Sequence, residues 1–308
     1  MSCFNPILAV NRGSKINKDG KLVSDIKILP MKGKFFACGI DDIKERYGDD
    51  LIYLPCGHCI GCANDYSKMW ASRICLEASF HQANCFITLT YADCNLPKSL
   101  QKRDFQLFMK RLRKEIGVPV RYFACGEVGE GKGSREGYNP HFHAIIFGFD
   151  FPDKVFLKRS SSGLVIYRSS LLEKIWEKGL CSIGDVSPES AQYVSKYSMK
   201  RKITGVDCGE FVLMSRRPGI GVQGFNEDDY MTDKLYLHGR KYKIPRFFDK
   251  IAEGMNSFAY ICAKFNRVRK AKLMPSKKYA FCVGREENAL AILQENAVRE
   301  HVLQGRSL

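Results

Sequence analysis

Two of the six histidines in this 308-residue sequence stand two positions apart at the head of a short apolar run, Asn139-Pro-His-Phe-His-Ala-Ile-Ile-Phe-Gly148. The run is rich in β-branched and aromatic residues, entered by a proline and left by a glycine, and so predicts a strand. Strand side chains alternate, which puts His141 and His143 on one face and Phe142 and Ala144 on the other. Two imidazoles roughly 7 Å apart along a strand can lean onto one ion or one phosphate. A neighbouring carboxylate or backbone carbonyl satisfies the same pair equally well. What else the chain brings to that face decides between these readings.

Val118–Glu127 reads as a second strand, followed by a loop that holds Gly129, Gly131, Gly133 and Gly137. An antiparallel hairpin of the two strands places Glu127 opposite the entry of the histidine strand. A carboxylate and two imidazoles then converge, with positions left open for water and substrate. Glu127 either ligates an ion directly or orients a histidine from behind. Upstream, Cys85–Tyr91 predicts a further strand. Ser99 is a candidate cap for a helix running to about Ile116, with Leu100, Phe105, Phe108, Met109 and Leu112 as its apolar face. Lys110, Arg111, Arg113 and Lys114 crowd the rest of that helix, either as a solvated face or as contacts to a phosphate backbone.

Charge favours the second use. With 49 Lys and Arg against 33 Asp and Glu, the formal net charge is +16, which suits a polyanionic partner such as nucleic acid. Apolar content of 45% is that of a folded globular chain. No apolar run approaches membrane-spanning length, and Met1–Arg12 lacks the basic start and long apolar core of a signal peptide. Thirteen scattered cysteines then point to reduced thiols in a cytosol. Three of them, Cys56, Cys59 and Cys62 in Pro55-Cys-Gly-His-Cys-Ile-Gly-Cys62, have a metal-type spacing that suits zinc. A fourth ligand is missing nearby, with Cys75 or His81 the candidates, and buried thiols in a glycine-punctuated turn are the alternative.

The remaining chain reads in order. Asn17–Gly20 predicts a turn in a loose N-terminal hairpin, and Tyr66–Phe80 a helix with Met69, Trp70, Ile74 and Ala78 on one stripe. Phe151–Ser170 reads as a loop, Leu171–Lys178 as a short helix and Leu180–Val186 as a strand. Ser187-Pro188-Glu189 is a helix start. The helix from Pro188 to about Lys202 carries Tyr193, Lys196, Tyr197 and Lys200 on one face, either as a half-buried core edge or as nucleophiles beside ammonium groups. It departs from an apolar pattern at Ser195 and Ser198. From Phe211 the chain reads as basic and irregular, with Arg216 and Arg217 in a Ser-Arg-Arg-Pro-Gly-Ile-Gly loop suited to gripping phosphates. Residues 247–270 and 285–303 read as helical.

The order of strand Phe86–Tyr91, then His141-Phe-His143, then Tyr193-Val-Ser-Lys-Tyr197 resembles the three motifs of the HUH rolling-circle replication initiators. Together with the Pro-Cys-Gly segment, Gly126-Glu127 and the Arg216–Arg217 loop, it is similar to the replication proteins of small single-stranded DNA bacteriophages, the gokushovirus branch of the microviruses. The resemblance implies an α+β fold with an antiparallel sheet, a five-stranded HUH or RNA-recognition-motif-like palm flanked by helices. It implies His141 and His143 as ligands of Mg²⁺ or Mn²⁺, Tyr193 and Tyr197 as nucleophiles, and Lys196 and Lys200 as phosphate helpers. Glu127 as third ligand rests on the hairpin topology alone. The implied reaction is nicking of the origin on double-stranded replicative-form DNA. It leaves a 5′-phosphotyrosine link and a 3′-OH primer, and the displaced single strand is then joined into a circle.

No nucleotide cofactor is expected, since no P-loop pattern appears. Host helicase and DNA polymerase are implied partners, with no membrane, and the host cytoplasm is the implied site of action. The expected organisation is a peripheral segment over 1–50, the endonuclease domain over 51–205 and a basic, partly helical region over 206–308. A plasmid relaxase or transposase would use the same chemistry. A non-catalytic, zinc-containing nucleic-acid-binding protein would explain the charge but not the histidine and tyrosine faces.

Overall fold

Alternation along the strands and helical periodicity between them sort this chain into sheets covered by helices. The computed structural model describes residues 6–18, 22–29, 40–129, 138–160, 163–204 and 209–273, with Cys3 and Gly20. The helix predicted over 285–303 and the loop glycines Gly131, Gly133 and Gly137 lie outside the described residues. The described chain forms two compact units, divided in sequence at Asp65 and Tyr66.

In the first unit, β1 (Ile7–Ile16) and β2 (Leu22–Ile28) make the predicted hairpin, closed where the Gly20 N–H donates to the Asn17 carbonyl at 3.0 Å. Strand β3 (Leu51–Leu54) pairs antiparallel with the other edge of β1. With helix α1 (Ile40–Tyr47) they enclose a small cluster of Leu8, Val10, Leu29 and Ile43.

Helix α2 (Ile60–Phe80) starts six residues before the predicted Tyr66 and leads to the second unit. There β4 (Asn84–Thr90), helix α3 (Lys102–Ile116), β5 (Arg121–Gly129), β6 (Asn139–Phe147), β7 (Val155–Arg159), β8 (Val165–Arg168), helix α4 (Ser170–Trp176), β9 (Cys181–Gly184), helix α5 (Pro188–Thr204) and β10 (Phe211–Met214) follow one another. The strands form one antiparallel sheet in the order β10-β5-β6-β4-β9-β8-β7. The α+β antiparallel architecture is the expected one, but the sheet has seven strands where the resemblance implied five. The additional pair is the β7–β8 hairpin, which the sequence presented as a loop. Val155–Arg159 is exposed throughout, so no buried face imposes the alternation by which a strand is recognised. Phe211–Met214 is likewise a strand and not irregular chain. It is short, and its partner β5 lies some eighty residues upstream.

Alternation divides the sheet's side chains between two cores. On one face Ile87, Leu89, Phe142, Ala144 and Ile146 meet Phe105, Phe108 and Leu112 of α3 and Trp176 of α4. Trp176 is fully buried against Tyr91, Phe108 and Phe142, and its Nε1–H donates to the Thr90 carbonyl at 2.7 Å. On the other face Phe123, Cys125, Ile145 and Phe147 meet Trp70 and Ile74 of α2 and Ala191 and Val194 of α5. Ser99 does not cap α3, whose first residue is Lys102. Its Oγ accepts from the Gln101 side chain instead.

After β10 come α6 (Asp229–Thr232), the two-stranded β11 (Leu235–Leu237) and β12 (Arg240–Tyr242), α7 (Arg246–Gly254) and α8 (Phe258–Leu273). The single helix predicted over 247–270 is broken. Asn256 takes a left-handed conformation at φ 53°, and Ser257 then caps α8 by accepting from the Tyr260 N–H. This segment packs on α2 through Leu76 and Phe248.

One buried charge ties these parts together. The Glu77 side chain on α2 is fully buried and accepts from Arg121 Nε of β5 and, at 2.6 Å, from the Gly221 N–H. Glu77→Ala leaves a guanidinium and an amide without their acceptor, a loss on the order of 3–5 kcal/mol. Urea unfolding of this variant is expected to show that destabilisation, and a change below about 1 kcal/mol would contradict the role.

Candidate metal and nucleophile site

The β5–β6 hairpin has the register that the sequence predicts. Glu127 pairs with His141 and Cys125 with His143, so the carboxylate and both imidazoles rise from the α2–α5 face of the sheet. Glycines make this possible at two points. A Cβ at Gly126 would stand 2.7 Å from the Phe211 ring, its cross-strand partner on β10, and one at Gly129 would stand 3.2 Å from His141 Cε1. Gly126 lets the edge strand close up beside Glu127, and Gly129 leaves room for the imidazole.

The donor atoms converge. Glu127 Oε2 lies 3.2 Å from His141 Nε2 and 3.6 Å from His143 Nε2, and one ligand atom from each residue lies within 4.8 Å of the others. Glu127 and His143 are buried, whereas His141 is half-buried and opens the group toward solvent. His141 Nδ1 lies 2.8 Å from the Asn139 carbonyl. A carbonyl only accepts, so Nδ1 carries the proton and Nε2 keeps its lone pair for the centre of the group. On the neighbouring β4, Thr88 is the direct cross-strand partner of His143, and its Oγ1 lies 3.0 Å from His143 Nδ1. Phe86 stacks on the same imidazole, with centroids 5.7 Å apart and planes 12° off parallel. Burial, with the charge of His141 beside it, holds His143 well below the usual histidine range, so this imidazole is neutral at pH 7. Two neutral imidazoles and a carboxylate, propped by a backbone carbonyl and a threonine, fit a divalent metal ion as three ligands with open positions.

Tyr193 completes the group. Ser187 and Ser190 cap the start of α5 reciprocally, Ser190 N–H to Ser187 Oγ at 3.2 Å and Ser187 N–H to Ser190 Oγ at 2.8 Å, with Pro188 in the first turn. The helix then crosses the sheet with Ala191 and Val194 buried against it. Tyr193 Oη comes to 3.3 Å from His143 Nε2, and its ring packs edge-on to that imidazole at 4.9 Å. Ser195, polar against the expected pattern, is fully buried and meets the Ser67 carbonyl of α2 at 3.0 Å. Lys196 stands one turn beyond Tyr193, half-buried, and burial lowers its pKa. Tyr197 and Lys200 continue α5, but their side chains lie outside the described residues, as does that of Ser198.

The basic residues singled out in the sequence stand elsewhere. Helix α3 packs on the opposite face of the sheet. There Arg111 donates to the Ile175 and Trp176 carbonyls at the end of α4, and Arg113 to the Val120 carbonyl, while Lys110 and Lys114 are exposed. Arg216 and Arg217 are exposed beyond β10 at the Tyr122 end of β5, about 17 Å along the strand from Glu127. In the first unit, the thiols of Cys56, Cys59 and Cys62 converge with a fourth, that of Cys3, and not with Cys75 or His81. Cys75 is buried against α5 and the sheet, and His81 lies beside Glu77. Sequence reasoning missed Thr88, Phe86 and Cys3. The first two could have been found by extending alternation to β4, where they share the histidine face, but Cys3 carries no local signal.

The family model for the replication-associated protein ORF2 matches residues 84–202, a span that runs from β4 into α5 and includes Thr88, Glu127, His141, His143 and Tyr193. The chain is 26% identical over 323 aligned positions to the replication-associated protein ORF2 of Spiroplasma virus 4, covering 94% of this chain and 95% of the relative. It is 30% identical over 241 positions to the replication-associated protein VP4 of Bdellovibrio phage phiMH2K, covering 72% and 75%. With the replication-associated protein ORF4 of Chlamydia phage 1 it shares 28% over 253 positions, covering 76% and 61%. No solved structure matches the chain significantly.

Thr88→Val keeps the shape of β4 but removes the group facing His143 Nδ1. Mn²⁺ affinity measured by calorimetry is expected to fall about 10- to 100-fold. Unchanged affinity would show that Thr88 does not orient the imidazole.

Proposed function

This chain belongs to the replication-associated protein family of bacteriophages, and we propose that it initiates rolling-circle replication by nicking the phage origin with Tyr193. The observation that carries this reading is the meeting of a phenol with a metal-type donor set. Tyr193 Oη stands 3.3 Å from His143 Nε2, beside Glu127 and His141. A phenol held there has a use that a core-edge tyrosine does not. Glu127, His141 and His143 would hold a divalent ion, Mg²⁺ or Mn²⁺, and the bound ion would supply positive charge to polarise the scissile phosphate.

Tyr193 Oη attacks the phosphorus of one origin strand on the double-stranded replicative form. The tyrosine–phosphorus bond forms as the P–O3′ bond breaks. The phenolic proton is lost and the leaving 3′ oxygen takes one up, giving a 5′-phosphotyrosine and a 3′-OH primer. Lys196, one turn along α5, offsets charge on the attacked phosphate. Tyr197, a turn further, is assigned the second cleavage at the regenerated origin, with Lys200 beside it. The freed 3′-OH then attacks the first phosphotyrosine and closes the displaced strand into a circle. Each step exchanges one phosphodiester for another, so no nucleotide cofactor is consumed. Unwinding and synthesis fall to a host helicase and polymerase in the host cytoplasm.

Lys110 and Lys114 on α3, with Arg111 and Arg113 beside them, and Arg216 and Arg217 beyond β10 are assigned to the DNA backbone. They keep a positive surface away from the catalytic group, which suits phosphate contacts without base reading.

The Tyr193→Phe variant is expected to lose origin nicking and the SDS-resistant protein–DNA adduct by at least about 10³-fold. Undiminished adduct would remove Tyr193 from the reaction. His141→Ala is expected to abolish cleavage in Mg²⁺ or Mn²⁺ while a filter-binding assay still shows salt-sensitive DNA binding within a few-fold of the wild type. Loss of binding together with cleavage would mean that His141 serves the fold and not the ion.

A further inference from the structure

We propose that Cys3, Cys56, Cys59 and Cys62 hold one structural zinc ion, as four thiolates in a closed tetrahedral site within the first unit. All four thiols belong to that unit, and their sulfur atoms lie within 4.8 Å of one another. Cys56 Sγ stands 3.9 Å from Cys62 Sγ, and Cys59 Sγ stands 3.8 Å from Cys3 Sγ. A tetrahedral zinc with bonds of about 2.3 Å separates its sulfur ligands by about 3.8 Å. A disulfide would need about 2.05 Å.

Backbone geometry reads the same way. Five N–H groups aim at the sulfurs: Cys56 at Cys3 (3.3 Å), Gly57 at Cys62 (3.4 Å), His58 and Cys59 at Cys56 (both 3.4 Å), and Cys62 at Cys59 (3.5 Å). Donors gathered on sulfur favour thiolates over thiols, and they are the outer partners that metal-bound sulfur takes. The turn that allows this passes through Gly57 at φ 77°, where a side chain would be strained. On binding, four thiols lose four protons, and zinc with four thiolates carries a net charge of −2, which the five N–H dipoles partly offset.

The donor set selects the metal. Four sulfurs in a tetrahedron suit zinc, or iron as the competitor, and not the Mg²⁺ or Mn²⁺ assigned to Glu127, His141 and His143. With all four positions taken by protein, no water or substrate has access, so the ion is structural. The first unit needs such a tie. Its described core cluster is Leu8, Val10, Leu29 and Ile43, too few apolar side chains to hold a three-stranded sheet. The ion would link the start of β1 to the turn after β3, which are more than fifty residues apart in sequence.

The test measures metal in the full-length chain, purified without chelator. Wild type and His141→Ala are both expected to carry one zinc per chain by mass spectrometry of metals, released when a mercurial blocks the thiols. Cys3→Ser and Cys59→Ser are expected to lose most of it. Cobalt loaded into the wild type is expected to give the sulfur charge-transfer absorption of a four-thiolate tetrahedral site, which needs no variant to fold. Stoichiometric iron, a Cys3–Cys59 disulfide by peptide mapping, or wild type with no zinc and no such cobalt spectrum would overturn the proposal. So would a Cys3→Ser variant that keeps both its zinc and the full four-thiolate spectrum. None of these readouts depends on nicking, so a failure here is separate from a failure of the replication reading.

Discussion

The pairing of Glu127 with His141 across the β5–β6 hairpin is the constraint on which the rest of the site depends. A strand's side chains alternate with a period of two, so a slip of one residue would turn both imidazoles into the aromatic core of α3 and α4. The sheet prevents that slip from both sides. Phe142, Ala144 and Ile146 are fully buried on one face and Ile145 and Phe147 on the other, so every odd register buries a histidine in place of an aliphatic or aromatic group. Hydrophobic packing of residues with no chemistry of their own thus sets the position of the three that have it.

The two faces of the sheet divide the work. One is an aromatic core closed by Trp176, with a basic helix on its outside. The other carries the donor group, over which α5 lays Tyr193. Basic residues dense in sequence are therefore not the ones nearest the donor atoms. Arg111 shows why density alone misleads, because its guanidinium is bonded to the carbonyl groups that end α4. A net charge of +16 describes how a polyanion is attracted, while the place of reaction is marked by neutral imidazoles and a buried carboxylate.

What could be read from the sequence was local or tied to a local pattern. The histidine strand, the hairpin that faces it with Glu127, and the serine-proline start of α5 each rest on neighbours within a few residues. Contacts made across long stretches of chain left no such trace. Phe211–Met214 is four residues long and is a strand only because β5 is there to pair with it. Val155–Arg159 is exposed, so burial imposed no pattern on it. Thr88 was legible as part of a strand, but its role needs the β4–β6 register that brings it to His143. The fourth thiol is the extreme case. Cys56, Cys59 and Cys62 announce a knuckle-like turn, yet Cys3 joins them from 53 residues upstream.

The claim at the centre of this account is that Glu127, His141, His143 and Tyr193 act as one site. Peptide mapping of the covalent adduct tests it most directly. Wild-type protein would be incubated with Mn²⁺ and a supercoiled plasmid bearing the phage origin, digested with nuclease and protease, and analysed by mass spectrometry. The account predicts a 5′-nucleotide on the peptide containing Tyr193, and none in the Glu127→Ala or His141→Ala protein. A nucleotide found only on another residue, or an adduct of wild-type yield in those two variants, would contradict it.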